Sequence, residues 1–227
     1  MSPPGLLPEG YGEATWLQSA TRLANLRSLG FRPRTFLDVG AHHGHVSSLI
    51  HHLWPGIDIL MIDGEEDCRE HLLKKPFPFE IVLLAETERE ANYHRCTSGC
   101  TEGNGLYREN GVAPFETVKR QTKTLDSIVG DRTFDFIKMD CQGGELNVLA
   151  GGGRTISRAH AIQLETQLQD YNEGAPRMLD VMVVMAQAGF RAYDLVDFHH
   201  NSMGMLLQAD VLFLRHDSPL FNIRPLS

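Results

Sequence analysis

Short apolar runs alternate with amphipathic stretches through most of the chain. The run Thr35-Phe36-Leu37-Asp38-Val39 has no helical spacing and reads as a strand buried on both faces. Gly40 and Gly44 then turn the chain into a helix with Val46, Leu49, Ile50 and Leu53 on one face, stopped by Pro55-Gly56. Further strands are predicted at 57–62, 81–85, 134–139 and 161–164. Helices are predicted where Cys68, Leu72 and Leu73 precede Pro76, over 145–149, and where Met178, Leu179, Met182, Val183, Met185 and Ala186 precede Gly189. Ahead of the first strand, Trp16, Leu17, Ala20, Leu23, Ala24 and Leu26 recur at helical spacing up to Gly30, as a lid or as packing on the sheet. Residues 190–198 and 210–215 read as two last strands whose connection is too irregular for a crossover helix, so they pair antiparallel. This order predicts an α/β fold in three layers, Rossmann-like, with a mostly parallel sheet covered on both faces. Two stretches break the rhythm. Residues 96–114, with four glycines, read as a long loop that either folds over a substrate or forms a surface insertion. Residues 115–123 read as an extended piece before a helical turn at 124–128.

Composition narrows this picture. The 227 residues are 42% hydrophobic and 22% charged, enough for a packed core, and no linker divides them. One domain over 13–227 is expected, after a disordered tail of 12 residues rich in Pro and Gly. The net charge of -8 argues against nucleic acid as a partner. Neither a secretory signal nor an apolar run of membrane-spanning length is visible, so no membrane span and a cytoplasmic location are expected. Cys68, Cys96, Cys100 and Cys141 are too scattered for a disulfide framework and read as free thiols.

The chemistry gathers at strand ends. Asp38 precedes a glycine turn written G-x-x-x-G, which is not the G-x-G-x-x-G of dinucleotide sites. Asp63 ends the next strand, about 20 residues on, where a carboxylate can accept from ribose hydroxyls. The alternative is a turn residue leading the acidic first helical turn of Glu65, Glu66 and Asp67. Glu86 ends the third strand, where an adenine would lie if Asp63 holds the ribose. Asp140 ends the fourth strand before Gly143-Gly144, and Glu165 ends the fifth.

Thr124-Leu125-Asp126-Ser127-Ile128, then Phe136-Ile137-Lys138-Met139-Asp140-Cys141-Gln142-Gly143-Gly144-Glu145, then Val148-Leu149-Ala150-Gly151, resemble the FkbM family of class I S-adenosylmethionine-dependent methyltransferases. Asp38-Val39-Gly40-Ala41-His42-His43-Gly44 fits that family's first motif, with His42 where Asn is usual and Asp63-Gly64 where Glu-Pro is common. The resemblance implies seven strands in the order 3-2-1-4-5-7-6 with the last antiparallel. It implies an O-methyltransferase acting on a hydroxyl of a small molecule such as a sugar or polyketide, with S-adenosyl-L-methionine as cofactor. A nicotinamide-dependent oxidoreductase, an N-methyltransferase and a binding module without activity are the rivals.

On this reading the cofactor is held by Asp38, Gly40, Ala41, His42, Gly44, Asp63, Gly64, Glu86 and Asp140. Gly40 leaves room for it to pass. Asp140 is the leading general base, its alternative being a carboxylate merely held by Lys138. Glu145, as a catalytic group or a helix cap, and Lys138 stand beside it. Glu165, His199 and His43 are candidates for substrate binding. No metal is expected: His94, Cys96 and Cys100 fall short of a zinc set, and nothing calls for magnesium. Expected partners are the hydroxyl acceptor and, as an option left open, a second copy in a homodimer.

Overall fold

The computed structural model describes residues 6–111 and 113–223. In chain order the elements are α1 (Glu13–Ser28), β1 (Thr35–Val39), α2 (His45–Leu53), β2 (Asp58–Asp63), α3 (Arg69–Leu72), β3 (Phe79–Ile81), β4 (Leu83–Leu84), β5 (Glu90–Cys96) and β6 (Phe115–Lys123). There follow α4 (Leu125–Val129), β7 (Phe136–Met139), α5 (Glu145–Gly151), α6 (Gly153–Arg158), β8 (Ala161–Gln167), α7 (Met178–Gln187), β9 (Phe190–His200) and β10 (Leu206–Arg215). Seven strands form one sheet in the order β3-β2-β1-β7-β8-β10-β9. β1 pairs parallel with β2 and β7, and β7 with β8, whereas β10 runs antiparallel to both β8 and β9. Counting only these strands, the order is the expected 3-2-1-4-5-7-6 with the last reversed.

The two faces of the sheet read off the strand sequences with period two. Leu37, Val39, Leu60, Ile62, Ile137, Met139, Ile162 and Leu164 share one cluster with residues of α4 to α7, such as Leu125, Val148, Ile156 and Met185. Phe36, Ile59, Met61, Phe136, Ala161, Leu212 and Leu214 pack on the other face against Leu23 and Leu26 of α1 and Leu49 and Ile50 of α2. On this second face the apolar rows give way to polar ones towards the carboxyl ends of the parallel strands. Phe36 is followed two residues on by Asp38, Phe136 by Lys138, and Ala161 by Gln163 and Glu165; the antiparallel β10 adds Asp210.

Local signals start two of the helices. The Thr124 side chain accepts from the Ser127 amide at 3.2 Å to open α4. The Asp180 carboxylate accepts from the Arg177 amide at 2.9 Å to open α7.

Three expectations need correction or restriction. The strand expected over 81–85 is broken in two. β3 stays on the main sheet, and the Val82 amide makes its last bond to the Asp63 carbonyl at 2.7 Å; β4 then pairs with β6 in a separate sheet of order β4-β6-β5. The expected loop is also shorter, because its leading residue Cys96 belongs to β5, which pairs antiparallel with β6. For residues 1–5 the expected tail lies outside the described residues, while Leu6, Leu7 and Tyr11 pack against the α1 cluster. All four cysteines are free, and no helix among the described residues is long and apolar enough to cross a membrane.

Candidate active site

A cavity of about 450 Å³ opens at the carboxyl ends of β1, β2, β7 and β8, where the sheet is built outwards in both directions from β1 and β7. That is the switch point at which open α/β sheets take their ligands. Its walls come from the β1–α2 turn, the end of β2, the 82–84 segment, the 100–109 loop, the β7–α5 turn and the polar edge of β8 and β10.

The β1–α2 turn is held from both sides. Gly40 has φ +74°, and a Cβ on it would lie 1.7 Å from the backbone oxygen of Asp140. It lets β1 and β7 close on each other, and Gly40 itself lines the cavity, where the cofactor was expected to pass. The next residues line the cavity: Ala41, His42 and His43. His42 adopts a left-handed φ of 49° and donates its amide to Asp63 Oδ2 at 2.7 Å. The imidazoles of His42, His43 and His71 form a stack with successive centroid distances of 3.7 Å. Burial, and then the neighbouring imidazoles and Lys75, lower the His43 pKa to about 4. Tyr11 and Trp16 lie edge-on or tilted against His45, and Trp16 itself lines the cavity. α1 thus packs on the sheet and contributes at its amino end to the cavity wall.

At the end of β2, Asp63 is 8% exposed and lines the cavity. Its two oxygens accept from the amides of His42 and Glu65, both at 2.7 Å. Burial raises its pKa in spite of these bonds. Glu65, which the alternative reading of the sequence placed in an acidic first helical turn, is buried. It accepts from Tyr93 Oη at 3.2 Å and Asn104 Nδ2 at 2.8 Å, with Arg95 3.5 Å away. Asn104 in turn accepts the Cys96 amide at 2.7 Å. The 97–114 loop is also zipped to the segment after β8: Asn110 donates its amide to the Tyr171 carbonyl, and Glu173 donates to that of Arg108, both at 2.7 Å. It forms a tied wall of the cavity, with Thr101 bonded to His42 Nε2 at 2.9 Å.

The opposite wall carries a cluster of buried and half-buried ionisable groups. Lys138 is 4% exposed, and its Nζ donates to Asp140 Oδ2 at 2.9 Å. Burial works to lower the Lys138 pKa, but Asp140, Asp38 and Asp210 outweigh it and the ammonium is retained. For Asp140, burial works upward; the Lys138 ammonium and the hydrogen bonds prevail, and its pKa is lowered. Glu165 moves the other way, raised well above the usual range by burial and then by Asp140 and Asp210. Asp210 lies opposite it on β10, raised by burial to about 6. Two neighbouring carboxyls with pKa values driven apart make one ionised acceptor and one proton carrier. Gln142 Nε2 bridges them, 2.9 Å from Asp140 Oδ1 and 3.2 Å from Glu165 Oε2. His199, Tyr171 and Gln208 complete this wall.

Four expected residues lie off the cavity wall. Asp38 is fully buried beneath it, accepts from Ser47 Oγ at 2.6 Å and keeps Oδ1 without a partner. Gly44, with φ +70°, starts α2. Glu86 faces away, bonded to Asn147 at 3.0 Å and Arg89 at 2.9 Å. Glu145 is 4% exposed and accepts from the Cys141 amide at 2.6 Å, so it braces the β7–α5 turn; burial raises its pKa to about 7. Gly64 does line the cavity. Of the Gly143-Gly144 pair, Gly144 lines the cavity, whereas Gly143 packs against the 172–175 segment, where a Cβ would lie 2.4 Å from that of Ala175. Ser47, Glu65, Asn104 and Gln142 were not singled out from sequence for the roles they hold. Among the described residues no group of three or more His, Cys, Asp or Glu could hold a metal ion.

The cofactor implied by the resemblance fits these residues. A carboxylate has about four acceptor sites, and the two amides on Asp63 leave capacity for ribose hydroxyls in an otherwise desolvating environment. Val82, Leu83, Leu84, Leu106 and Val148 offer an apolar wall next to it, suited to an adenine. The cavity volume falls in the range of small-molecule sites, roughly 300–1,000 Å³.

Comparison with known proteins agrees. Residues 38–192 match the sequence model of the methyltransferase FkbM domain. No curated protein sequence matches the chain. Among solved structures, the plantazolicin methyltransferase BamL, solved with a triazolic desmethylPZN analog and SAH, superposes with a TM-score of 0.54 at 10% identity, covering 90% of this chain and 87% of that one. A putative RNA methyltransferase from Pyrococcus horikoshii superposes with a TM-score of 0.50 at 10% identity, covering 94% and 91%. At such identities these structures show the shared fold, while the domain match extends over more than half of the sequence and includes the turn after β1 and the Lys138-to-Glu145 motif. The chain therefore belongs to the FkbM methyltransferase family and is an S-adenosylmethionine-dependent methyltransferase.

Proposed function

We propose that the protein is an O-methyltransferase that acts on a hydroxyl of a small molecule such as a sugar, a polyketide or another secondary metabolite. The observation that carries this reading is Asp140: a carboxylate at the cavity, kept ionised by the buried Lys138 ammonium, beside a carboxyl that is kept protonated. When bound, S-adenosylmethionine supplies an electrophilic methyl group. Asp63 would accept its ribose hydroxyls, and Leu83, Leu84 and Val148 would flank its adenine. An aliphatic hydroxyl is a weak nucleophile near neutral pH, so Asp140 takes its proton as the acceptor oxygen gains the methyl group, the sulfur–methyl bond of the donor being broken and S-adenosylhomocysteine left behind. The cavity walls hold that oxygen in place, and such positioning accounts for much of the acceleration in transfers of this kind. Residues 100–106 and Glu109 of the tied loop close one side of a cavity of small-molecule size.

An amine acceptor is the second reading, favoured by the carboxyls of Asp63, Glu102, Glu109 and Asp140 around one retained ammonium. Incubation of the enzyme and a labelled methyl donor with metabolite fractions, followed by mass and NMR analysis of the product, separates a methyl ether from a methylamine. Asp140→Asn is expected to abolish ether formation while S-adenosylhomocysteine still binds. Full transfer by that variant would remove Asp140 as the base.

A further inference from the structure

Gln142 carries more of this site than its place between two motif residues suggests. With His42, it is one of two non-glycine residues of positive φ among the described residues, at 52°, and both line the cavity. An L-residue in this conformation is strained and persists where its surroundings dictate it. What holds Gln142 is the carboxyl pair: its side-chain nitrogen lies 2.9 Å from Asp140 Oδ1 and 3.2 Å from Glu165 Oε2. The orientation of the amide is fixed chemically, since an amide oxygen turned towards both carboxyls would face repulsion from Asp140. Lys138 occupies the other Asp140 oxygen, Oδ2. The two Asp140 oxygens are thus served by different donors, one from its own strand and one from the turn that follows.

We propose that Gln142 is a positioning residue, tying Asp140 and Glu165 into one fixed pair and stabilising the negative charge on Asp140 so that Asp140 is the member that takes the acceptor's proton. This rests on the reading of Asp140 as base. The other charged groups around the pair are Lys138 on β7, Asp38 on β1, Asp210 on β10 with Asp197 opposite it on β9, and Glu145 at the start of α5. Substitution at Gln142 removes none of them. Its direct effect is confined to one donor on Oδ1 of Asp140 and one on Oε2 of Glu165.

The test is a carboxyl titration that needs no methyl acceptor. Protein labelled with ¹³C at the Asp and Glu side-chain carboxyls, saturated with S-adenosylhomocysteine, is followed by NMR from pH 3 to 9. The Asp140 signal is assigned by its loss in D140N and that of Glu165 by its loss in E165Q. Loss of the hydrogen bond that favours the ionised form is expected to raise the Asp140 midpoint by about one pH unit in Gln142→Leu. Gln142→Asn is the second variant: Asn tolerates the left-handed backbone, but its amide is one methylene too short to span both carboxyls. It is expected to raise the midpoint likewise, and it keeps the test decisive if the Leu variant fails to fold. An unchanged Asp140 midpoint in Gln142→Asn overturns the proposal. With an acceptor in hand, the acid limb of kcat is expected to move by the same amount while the acceptor KM stays put. Full methyl transfer by D140N would instead remove Asp140 as the base, on which this proposal rests, an outcome distinct from an unshifted titration.

Discussion

Gly40 and Asp140 meet so closely that no side chain fits between them: a Cβ on Gly40 would stand 1.7 Å from the Asp140 carbonyl oxygen. The contact joins the carboxyl ends of β1 and β7 at the point where Asp140, the proposed base, follows its strand. Gly40→Ala is expected to cost about 1–2 kcal/mol for the left-handed backbone and about 1–3 kcal/mol more for overlap with backbone that must shift as a whole. Gly44→Ala is the milder partner experiment, because its φ of +70° is similar but its nearest neighbour, at 3.0 Å, is the flexible Lys75 side chain. Urea unfolding of the two variants should show the larger loss for Gly40. Equal losses would mean that the Asp140 contact has no special weight.

Asp63 and Glu86 were both expected to hold the cofactor, and the structure separates them. Asp63 is at the cavity, whereas Glu86 is spent on Asn147 and Arg89 outside it. Asp63→Asn replaces a carboxylate oxygen by an amide N–H that faces the backbone donors of His42 and Glu65. Removing a charged acceptor of this kind costs roughly 1.5–3 kcal/mol, or about 10- to 100-fold in affinity. Calorimetry with S-adenosylhomocysteine should show that loss for Asp63→Asn and a change of less than about fivefold for Glu86→Gln, since a surface ion pair is worth about 0–1 kcal/mol. A large effect at Glu86 alone would move the adenine to the other side of the 82–86 segment.

The strand order was legible because each parallel strand announces itself by an apolar run, and each carboxyl end by a polar residue such as Asp63 or Asp140. What the runs concealed was their period. Phe36 and Asp38, or Phe136 and Lys138, share a face, so the polar edge of the cavity was already written as alternation within strands read only as buried on both faces. The departure of β4 from the sheet was not legible. It depends on Ala85 donating to the Lys123 carbonyl at 2.9 Å, a partner far along the chain. Glu65 looked like an ordinary helix-start acid for the same reason: Tyr93 and Asn104, which bury it, lie 28 and 39 residues away. Asp38 was found by its position before the glycine turn. Its partner, Ser47, is hidden in a helix that otherwise shows only its apolar spacing.

Asn104 is the pin of the 97–114 loop, accepting from the Cys96 amide and donating to buried Glu65. Asn104→Ala leaves Glu65 Oε2 with Tyr93 and Arg95 as neighbours and removes one tie of the 97–105 stretch, which keeps the bonds of Thr97 to Pro114, Thr101 to His42 and Gly105 to His94, while the bonds at Asn110 and Glu173 hold the far end. The expected result is faster amide exchange confined to residues 97–105 and faster release of S-adenosylhomocysteine, with the exchange of β1 and β7 unchanged. Exchange that accelerates throughout the sheet would show that Asn104 supports the fold as a whole.

His43 sits between the imidazoles of His42 and His71, and its pKa falls from 6.5 to about 4 in the folded protein. The neutral ring is therefore favoured by folding. In the unfolded chain the same ring takes up its proton below pH 6.5, so between that value and about pH 4 the unfolded state binds the extra proton. The contribution of His43 is fully present above pH 6.5 and is lost as the pH falls towards 4. His45, also lowered by burial, acts in the same sense, while Asp63 and Glu165, whose pKa values are raised, act in the opposite one. The total pH dependence of the wild type consequently does not isolate His43, but its difference from a variant does. His43→Phe keeps a flat ring in the stack and removes the titration. Its stability relative to wild type, measured by urea unfolding, is expected to improve from pH 7.5 to pH 4.5. The same relative stability at both pH values would show that the His43 ring gains its proton in the folded stack as readily as in the unfolded chain.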